Sequence, residues 1–542
     1  MKKVVYRIAY RIFKMLETKP RLLMPLLKLN TRLGIIKDYN SVMRSEIARK
    51  RSESIFHEGD SVKSIKVAII ADEFTFNCFK FEFNALPVTP SNWLEVFSKE
   101  KPDLFFCESA WSGDDPVGRP WKGKVYGSER FNYENRKVLF SILKYCKKKK
   151  IPTIFWNKED PIHYEDKVHN FVDTAIRFDH IFTSASECVK RYKEDYGHKS
   201  VHELMFATQP MMFNPIEEFE RTEEIVFAGS WYAQHPERCS EMEKILDGII
   251  ASGLQLKIYD RHSGTTDPNH FFPEKYRQYV HPKLEYEALN LAYKGSKYAL
   301  NFNTSTQSKT MFARRVFELM SSNTCVLSNY SEGMKELFAE NVFFVDEGIK
   351  IINAEAAREA NLNLVLSEHT YEKRFHQILT DIHFEFDFKP PLLNVIKVVD
   401  SEADLSEAIE TLNRIVHLNK KNIIMLSQNI PNTRIKDIFQ KYNSNEVQIV
   451  ALDYVRKYEP EMKIKGKFVI VDGNCPEELI SKAFLHICYL DKLSGIMLGK
   501  HEYKFEGLPG YVNTVFDESM FVEILDAVLS GNDTLEFKKY LV

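Results

Sequence analysis

Short apolar runs with the pattern of buried strands alternate with helical stretches along most of this chain. Such runs lie at 64–71, 103–107, 152–156 and 180–183, and an amphipathic stretch at 132–148 separates two of them. Parallel strands can be joined only by crossover connections, which are usually helices. The alternation therefore predicts an α/β fold with parallel sheets covered by helices on both faces.

The runs fall into three series, which predict how the chain is divided. A second series begins at 224–229 and ends near 342–345, and a third begins at 394–399. A chain of 542 residues is too long for one hydrophobic core. We expect a helical arm, two tandem Rossmann-like domains and an extra α/β domain. Their predicted bounds are 1–60, 61–212, 213–388 and 389–542.

The first forty residues carry ten lysines and arginines against two acidic residues. Apolar residues such as Val5, Ile8 and Ile12 recur at a spacing of three or four, which places them on one face of a helix. A basic amphipathic helix binds anionic membrane surfaces, but similar helices also pack on globular domains. Both alternatives stay open. Residues 1–40 are the candidate membrane contact.

Composition and missing motifs exclude several classes of protein. The net charge is -2, so nucleic acid is not an expected partner, and eight cysteines without a C-x-x-C favour a reducing cytoplasm. No apolar run is long enough to span a membrane, and no signal-peptide pattern occurs. We expect a cytoplasmic protein, which the arm would hold at the inner face of the cell membrane.

The sequence also lacks P-loop, G-x-G-x-x-G, H-E-x-x-H and G-x-S-x-G motifs. No two aspartates are spaced D-x-D, the pattern found in many metal-dependent nucleotide-sugar enzymes. We therefore expect no metal site and no required cofactor. In tandem parallel α/β domains, the loops after the carboxyl ends of the strands are the place for a ligand.

Two loops of the second series carry residues that suit a phosphate group. After 224–229 come Gly229, which allows close backbone approach, and then Ser230 and Arg238. After 298–302 come polar and basic residues that lead into a helix, whose amino end favours anions. These residues are Ser308, Thr310, Arg314 and Arg315.

Glu318 lies later on that helix, and its carboxylate can accept two hydrogen bonds from the hydroxyls of a ribose. The alternative is that Glu318 forms an ion pair with Arg314, four residues before it, and that Ser308 caps the helix. Both interpretations stay open from the residues alone.

Four segments carry a family resemblance: 155–161 (FWNKEDP), 227–238 (FAGSWYAQHPER), 313–318 (ARRVFE) and 332–336 (EGMKE). They resemble the CgeB-like glycosyltransferases, a bacterial family of GT-B fold named after a spore-maturation protein. The resemblance runs from about residue 64 to 380. Members also occur in loci for cell-surface polysaccharide and teichoic-acid biosynthesis.

The resemblance implies that the second domain binds a nucleotide-diphosphate sugar, with a UDP-sugar expected, and that the first domain binds the acceptor. Glu318 would hold the ribose, and Gly229, Ser230 and Arg315 would lie near the diphosphate. Arg238, Ser308, Thr310, Arg314, Glu332 and Gly333 complete the predicted binding residues. Retaining enzymes of this fold often carry a glutamate eight residues before the ribose glutamate; here that residue is Thr310, so the stereochemical outcome stays open.

The missing glutamate moves the search for a catalytic group to the first domain. An inverting transfer needs a general base near the acceptor hydroxyl. Asp160 and Glu159, which follow the run at 152–156, are the first candidates, and His163 is the next. Asp160 is alternatively a turn residue before Pro161. Asp72 and Glu73 are weaker candidates.

The sequence therefore predicts a metal-independent glycosyltransferase that acts on a cell-surface polymer, a lipid-linked acceptor or a protein. Two alternatives stay open: a degenerate scaffold that serves as a binding or assembly subunit, and a sugar-nucleotide epimerase, which can share the GT-B architecture. The default expectation for the extra domain is oligomerisation or partner docking.

Overall fold

The computed structural model describes residues 61–217, 220–285, 288–388, 390–415, 417, 419–458, 464–472, 477–489, 495–497, 505–531 and 536–541. The predicted basic arm lies outside the described residues. The described chain forms two compact units. The first comprises 61–204 with 378–388, and the second comprises 205–377 with the residues from 390 onward. Within the described residues, no helix is long and apolar enough to cross a membrane.

The first unit contains a six-stranded sheet. Its strands are β1 Lys66–Ile70, β2 Asn84–Pro87, β3 Leu104–Glu108, β4 Thr153–Asn157, β5 His180–Thr183 and β6 Val201–Glu203. Its helices are α1 Ser61–Ser64, α2 Glu73–Phe79, α3 Trp93–Lys99, α4 Lys137–Lys149, α5 Val172–Ala175 and α6 Ser186–Tyr196.

All neighbouring strands of this sheet are parallel, in the order β2-β1-β3-β4-β5-β6. Strands β3 and β4 are buried along their whole length, as expected of central strands with helices on both faces. The four predicted strands of this series are present. Because the order reverses at β1, the carboxyl ends of β1 and β3 border a crevice.

The second unit begins with another six-stranded sheet. Its strands are β7 Thr222–Gly229, β8 Leu256–Asp260, β9 Val280–His281, β10 Ser296–Asn301, β11 Cys325–Ser328 and β12 Phe343–Phe344. Its helices are α7 Pro236–Ala251, α8 Leu289–Lys294, α9 Arg315–Ser321, α10 Glu332–Phe338, α11 Ala354–Glu368 and α12 Tyr371–Asp381.

This second sheet is also wholly parallel, in the order β12-β11-β10-β7-β8-β9. Its order reverses between β7 and β10, so the crevice of this sheet lies at their carboxyl ends. The prediction of two parallel Rossmann-like sheets is confirmed.

The third sheet has eight strands. They are β13 Leu393–Val399, β14 Lys420–Leu426, β15 Val447–Ala451, β16 Lys467–Ile470, β17 Gly495–Met497, β18 Phe505–Pro509, β19 Thr514–Phe516 and β20 Glu536–Leu541. The accompanying helices are α13 Leu405–Arg414, α14 Asn432–Tyr442, α15 Leu452–Tyr458, α16 Glu477–Tyr489 and α17 Phe521–Ser530.

The strand order of this sheet is β15-β14-β13-β16-β19-β17-β20-β18, and only its first four strands are mutually parallel. The third sheet packs on helix α11, because Leu362 and Leu366 of that helix share a hydrophobic core with Leu393 and Val395. Lys482 of α16 also forms an ion pair with Glu359. The extra α/β region is present, and the four-part division of the chain stays a prediction.

Candidate active site

Gly229 closes β7 at the edge of the second sheet's crevice. A side chain at this position would overlap the ring of Phe227, which folds back over the end of the strand. The guanidinium of Arg315 lies 5.2 Å from the centre of that ring. Glycine at 229 therefore leaves room for the ring on which Arg315 rests.

Ser230, Arg238 and Arg315 form what we call the arginine pocket. Arg238, in the first turn of α7, donates a hydrogen bond from Nη1 to the carbonyl oxygen of Ser230 at 3.3 Å and packs over the ring of Tyr232. Burial lowers the pKa of Arg238, and the positive charge of Arg315 lowers it further. The two guanidinium groups are thus close enough to repel each other.

Two buried donors of the arginine pocket have no hydrogen-bond partner within the described chain. The hydroxyl of Ser230 and Nε of Arg315 are buried and form no hydrogen bond within the described chain. Neither arginine forms an ion pair with a carboxylate among the described residues. Buried donors are normally satisfied, and paired guanidinium groups fit the oxygens of a phosphate. The pocket therefore suits a buried anion.

Glu318 is 3% exposed, and its Oε1 accepts a hydrogen bond from Nε of Arg314 at 2.8 Å. The ion pair weighed as the alternative for Glu318 is thus present. Ser308 does not cap this helix, because α9 begins at Arg315 with Arg314 as its N-cap residue. The hydroxyl of Ser308 instead accepts the N–H of Met311, within the preceding loop.

Glu332 and Gly333 are the first residues of helix α10, and their backbone binds the loop that precedes α9. Their N–H groups donate to the carbonyl oxygens of Thr306 and Ser308, at 2.9 and 3.1 Å. A side chain at 333 would collide with the backbone of Lys309. These two N–H groups are therefore occupied by protein, not available to a ligand. Thr310 lies half-buried in the loop.

In the first unit, a buried charge cluster fills the crevice between β1 and β3. The carboxylate of Asp72 accepts N–H groups of Trp111, Ser112 and Gly113 at 3.0, 2.8 and 3.0 Å. Nζ of Lys158 lies 3.0 Å from the same carboxylate and also pairs with Glu108. Asp72, one of the two weaker catalytic candidates, is thus engaged in fixing the loop that carries Trp111.

Burial and ion pairing have opposite effects on the pKa values of the two carboxylates in this cluster. It raises the pKa of Glu108 to about 7, and Lys158 opposes that rise. At Asp72 burial also raises the pKa, but Lys158 and the backbone donors outweigh it, so the pKa is lowered. The single lysine therefore compensates two buried carboxylates.

A group of side chains lies around Trp111, and we call it the tryptophan cluster. Its members are Trp111, Glu159, His163, Asp166 and His169. The indole Nε1 of Trp111 donates to Oε1 of Glu159 at 2.8 Å, and both imidazoles pack edge-on against the indole ring. Nδ1 of His163 and Nδ1 of His169 lie 2.8 and 3.0 Å from Oδ2 of Asp166. All five side chains are partly exposed.

Asp166 is oriented from both sides. Its Oδ1 accepts the N–H groups of Val168 and His169 at 2.7 and 3.0 Å, which leaves Oδ2 to the two imidazoles. Burial raises the pKa of Asp166, but the hydrogen bonds from His163 and His169 outweigh it, so the pKa is lowered. With Nδ1 held by a carboxylate, Nε2 becomes the basic nitrogen of His163.

Asp160 does not belong to this cluster. It is fully buried, and its oxygens accept hydrogen bonds from Asn157 at 2.8 Å and Thr183 at 2.7 Å. Burial raises its pKa to about 7. A carboxylate enclosed in this way cannot contact an acceptor hydroxyl, so Asp160 supports the loop after β4. Glu159 and His163, the other two catalytic candidates, meet at Trp111.

His163, Asp166 and His169 are also the one group within the described chain with the composition and spacing of a metal site. Their ligand atoms all lie within 4.8 Å of one another. Two imidazoles and a carboxylate are a common ligand set for divalent transition metals. The expectation of metal independence therefore stays a prediction.

Sequence reasoning missed Lys158, Trp111, Asp166 and His169. Lys158 stands inside the FWNKEDP segment, but a lysine beside two acidic residues gives no sign that it will be buried. The H-x-x-D-x-x-H spacing of 163, 166 and 169 was a usable signal, because it brings three ligand-type residues together within seven positions. Trp111 lies in the loop after β3, and no sequence pattern around it indicates a role in the site.

Residues 243–380 match a family model described as "Glycosyl transferase-like". This segment is a glycosyltransferase-like domain. It includes Arg315 and Glu318 and begins after Arg238. The expectation that the chain is a glycosyltransferase is confirmed at this level, and the CgeB-like resemblance stays a prediction. No curated protein matches the sequence.

Solved structures of similar fold are distant. An alpha-glucosyltransferase in complex with UDP-glucose and DNA containing an abasic site is 10% identical; the match covers 55% of this chain and 85% of that chain, with a TM-score of 0.36. T4 phage BGT in complex with UDP and Mn2+ is 12% identical, with coverages of 58% and 99% and a TM-score of 0.34. A UDP-N-acetylglucosamine 2-epimerase is 12% identical, with coverages of 60% and 99% and a TM-score of 0.35.

Proposed function

We propose that this glycosyltransferase uses a nucleotide-diphosphate sugar and that the arginine pocket binds the diphosphate. The observation that carries the proposal is the partly buried pair Arg238 and Arg315, with a buried, unpartnered donor at Nε of Arg315 and another at the hydroxyl of Ser230. A diphosphate would supply the missing acceptors and offset the repulsion between the guanidinium groups. These donors would also stabilise the charge that develops as the nucleotide diphosphate leaves.

Glu318 remains our candidate for the ribose. Its Oε1 is paired with Arg314, and that pairing orients the carboxylate at the start of α9. A carboxylate has room for further hydrogen bonds beyond one ion pair. Arg314 then acts on the ribose through Glu318, as a positioning residue. Ser308, Thr310, Glu332 and Gly333 shape the loop between β10 and α9 and its packing on α10.

For the first unit we propose acceptor binding at the tryptophan cluster, with His163 as general base. In the transfer, the acceptor oxygen bonds to the anomeric carbon of the sugar as the bond from that carbon to the diphosphate oxygen breaks. The hydroxyl proton passes to Nε2 of His163, while Asp166 holds Nδ1 and stabilises the imidazolium. Glu159 positions Trp111 through its hydrogen bond to the indole.

The finer parts of the proposal come from the family resemblance. The expected donor is a UDP-sugar, and the expected acceptor is a cell-surface polymer, a lipid-linked glycan or a protein. We propose that the reaction needs no metal and that residues 1–40 hold the enzyme at the inner face of the membrane. Deletion of residues 1–40 should abolish sedimentation with anionic liposomes, and undiminished pelleting would contradict the membrane contact.

The test is turnover of UDP-glucose, UDP-N-acetylglucosamine and UDP-galactose by the full chain in EDTA, with water or alkyl glycosides as acceptors. Release of UDP from one donor, lost in Arg315→Met and kept in the exposed control Arg277→Met, is the expected result. Conversion of the sugar nucleotide without UDP release would indicate an epimerase. No turnover of any donor would favour the scaffold. Activity that appears only when Mn2+ or Zn2+ is restored would contradict the proposed metal independence.

A further inference from the structure

The third sheet has a crevice of its own. Strands β14 and β15 follow one another on one side of β13, and β16 lies on its other side. The strand order therefore reverses between β13 and β16. In open parallel sheets a ligand binds outside the carboxyl ends of the strands at this reversal. A cavity of about 490 Å³ opens there, within the size range of ligand pockets.

Polar side chains from three strand ends line this cavity. Asp400 follows β13, Ser427 and Asn429 follow β14, and Asp472 follows β16. Nζ of Lys397 lies 3.1 Å from Oδ1 of Asp472, and Nδ2 of Asn429 donates to Oδ1 of Asp400 at 3.1 Å. Tyr511 adds an aromatic ring to the lining.

The charge of this cavity differs from that of the arginine pocket. Two carboxylates lie beside one lysine, and no arginine is among the lining residues. A diphosphate would therefore face the repulsion of Asp400 and Asp472. Carboxylates accept hydrogen bonds from hydroxyl groups, and lysine and amide nitrogens donate to hydroxyl oxygens. A few such polar groups beside an aromatic ring are typical of sites for small neutral ligands.

We propose that this crevice, which we call the third-sheet crevice, binds a sugar residue of a glycan. Asp400 and Asp472 accept hydrogen bonds from its hydroxyls, Lys397 and Asn429 donate to its oxygens, and Tyr511 packs against its ring. The crevice gives the third region a binding role, and the oligomerisation or docking role expected from the sequence stays a prediction. This inference does not depend on the donor assignment at Arg238 and Arg315.

The experiment is saturation-transfer NMR of the full chain with glucose, N-acetylglucosamine and galactose and with disaccharides of each. We expect saturable binding of at least one probe. We expect Asp400→Asn and Asp472→Asn each to weaken it about tenfold, since each removes a charged hydrogen-bond acceptor. The matched control is Glu410→Gln, which removes an exposed charge from α13 without touching the crevice.

Thermal melts of the variants exclude global unfolding as the cause of a loss. Arg315→Met serves as a second control, because a sugar signal that survives it does not arise at the arginine pocket. Absence of saturable binding, or equal affinity in wild type and both aspartate variants, would overturn the proposal. A chain without UDP-sugar turnover that still binds sugar through Asp400 and Asp472 would refute only the proposed donor function.

Discussion

The crevices of the first and second sheets occupy equivalent places but differ in electrostatic balance. In the first, Lys158 compensates Asp72 and Glu108, and backbone N–H groups satisfy the remaining acceptor positions. In the second, Arg238 and Arg315 lie near each other, and neither forms an ion pair with a carboxylate of the described residues. The topology provides the same location twice, and the side chains decide which location is filled by protein and which can receive an anion.

The largest expected effect concerns the crevice of the first sheet, where Lys158 lies between two carboxylates. Lys158→Met should lower the free energy of unfolding by about 3–5 kcal/mol, because it leaves Asp72 and Glu108 buried without a counter-charge. Chemical denaturation at pH 7.5 measures this. The triple variant that adds Asp72→Asn and Glu108→Gln should recover part of the loss. A stability within about 1 kcal/mol of wild type would show that this crevice does not depend on its lysine.

Next in size is the loss of the proposed base. His163→Ala should reduce kcat for transfer about a hundredfold or more, as expected for removal of a general base. Its binding of UDP should not change, since the arginine pocket is in the other unit. His169→Ala is the matched control, because it removes the second imidazole on Asp166 and should cost less activity. Equal losses in both variants would argue for a shared role, such as a metal site.

A smaller effect concerns the buried Asp160. Its carboxyl ionises near pH 4 when unfolded and has a pKa of about 7 when folded, so the folded state holds an extra proton between these values. Stability should therefore fall as pH rises from about 4 to 7. Asp160→Asn should show a flatter dependence than wild type, and the exposed control Asp437→Asn should not. Identical slopes for Asp160→Asn and wild type would contradict the burial of this group.

The smallest effect is expected at Ser230. Its buried hydroxyl has no hydrogen-bond partner within the described chain, so we assign it to the bound diphosphate. Ser230→Ala should weaken UDP binding by about 0.5–1.5 kcal/mol, or roughly threefold to tenfold. Calorimetric titration measures the change. Unaltered or tighter binding would place the hydroxyl outside the contact.

The sequence predicted the parts of the fold that have strong local patterns. Strands β1, β3, β4 and β5 were found because each is a continuous apolar run. Strands β2, β6 and β9 were missed: they have two to four residues and few buried side chains, so tertiary pairing rather than pattern defines them.

Site residues were predictable from the sequence where they follow directly after a predicted strand. Gly229, Ser230 and Arg315 follow strand ends, and the loops after parallel strands are where ligands bind. The burial of Asp160 and the pairing of Lys158 with Asp72 were not predictable, because they join positions up to 86 residues apart. The start of α9 at Arg315, rather than near Ser308, depends on the packing of the preceding loop on α10.

The central claim is that Arg238 and Arg315 form an anion site for a nucleotide diphosphate. The most direct test is calorimetric titration of UDP, with inorganic phosphate for comparison, into wild type, Arg315→Met and the exposed control Arg277→Met, all in EDTA. We expect wild type and Arg277→Met to bind UDP equally and Arg315→Met to bind it at least tenfold more weakly. Undiminished binding by Arg315→Met, or no binding by wild type, would contradict it.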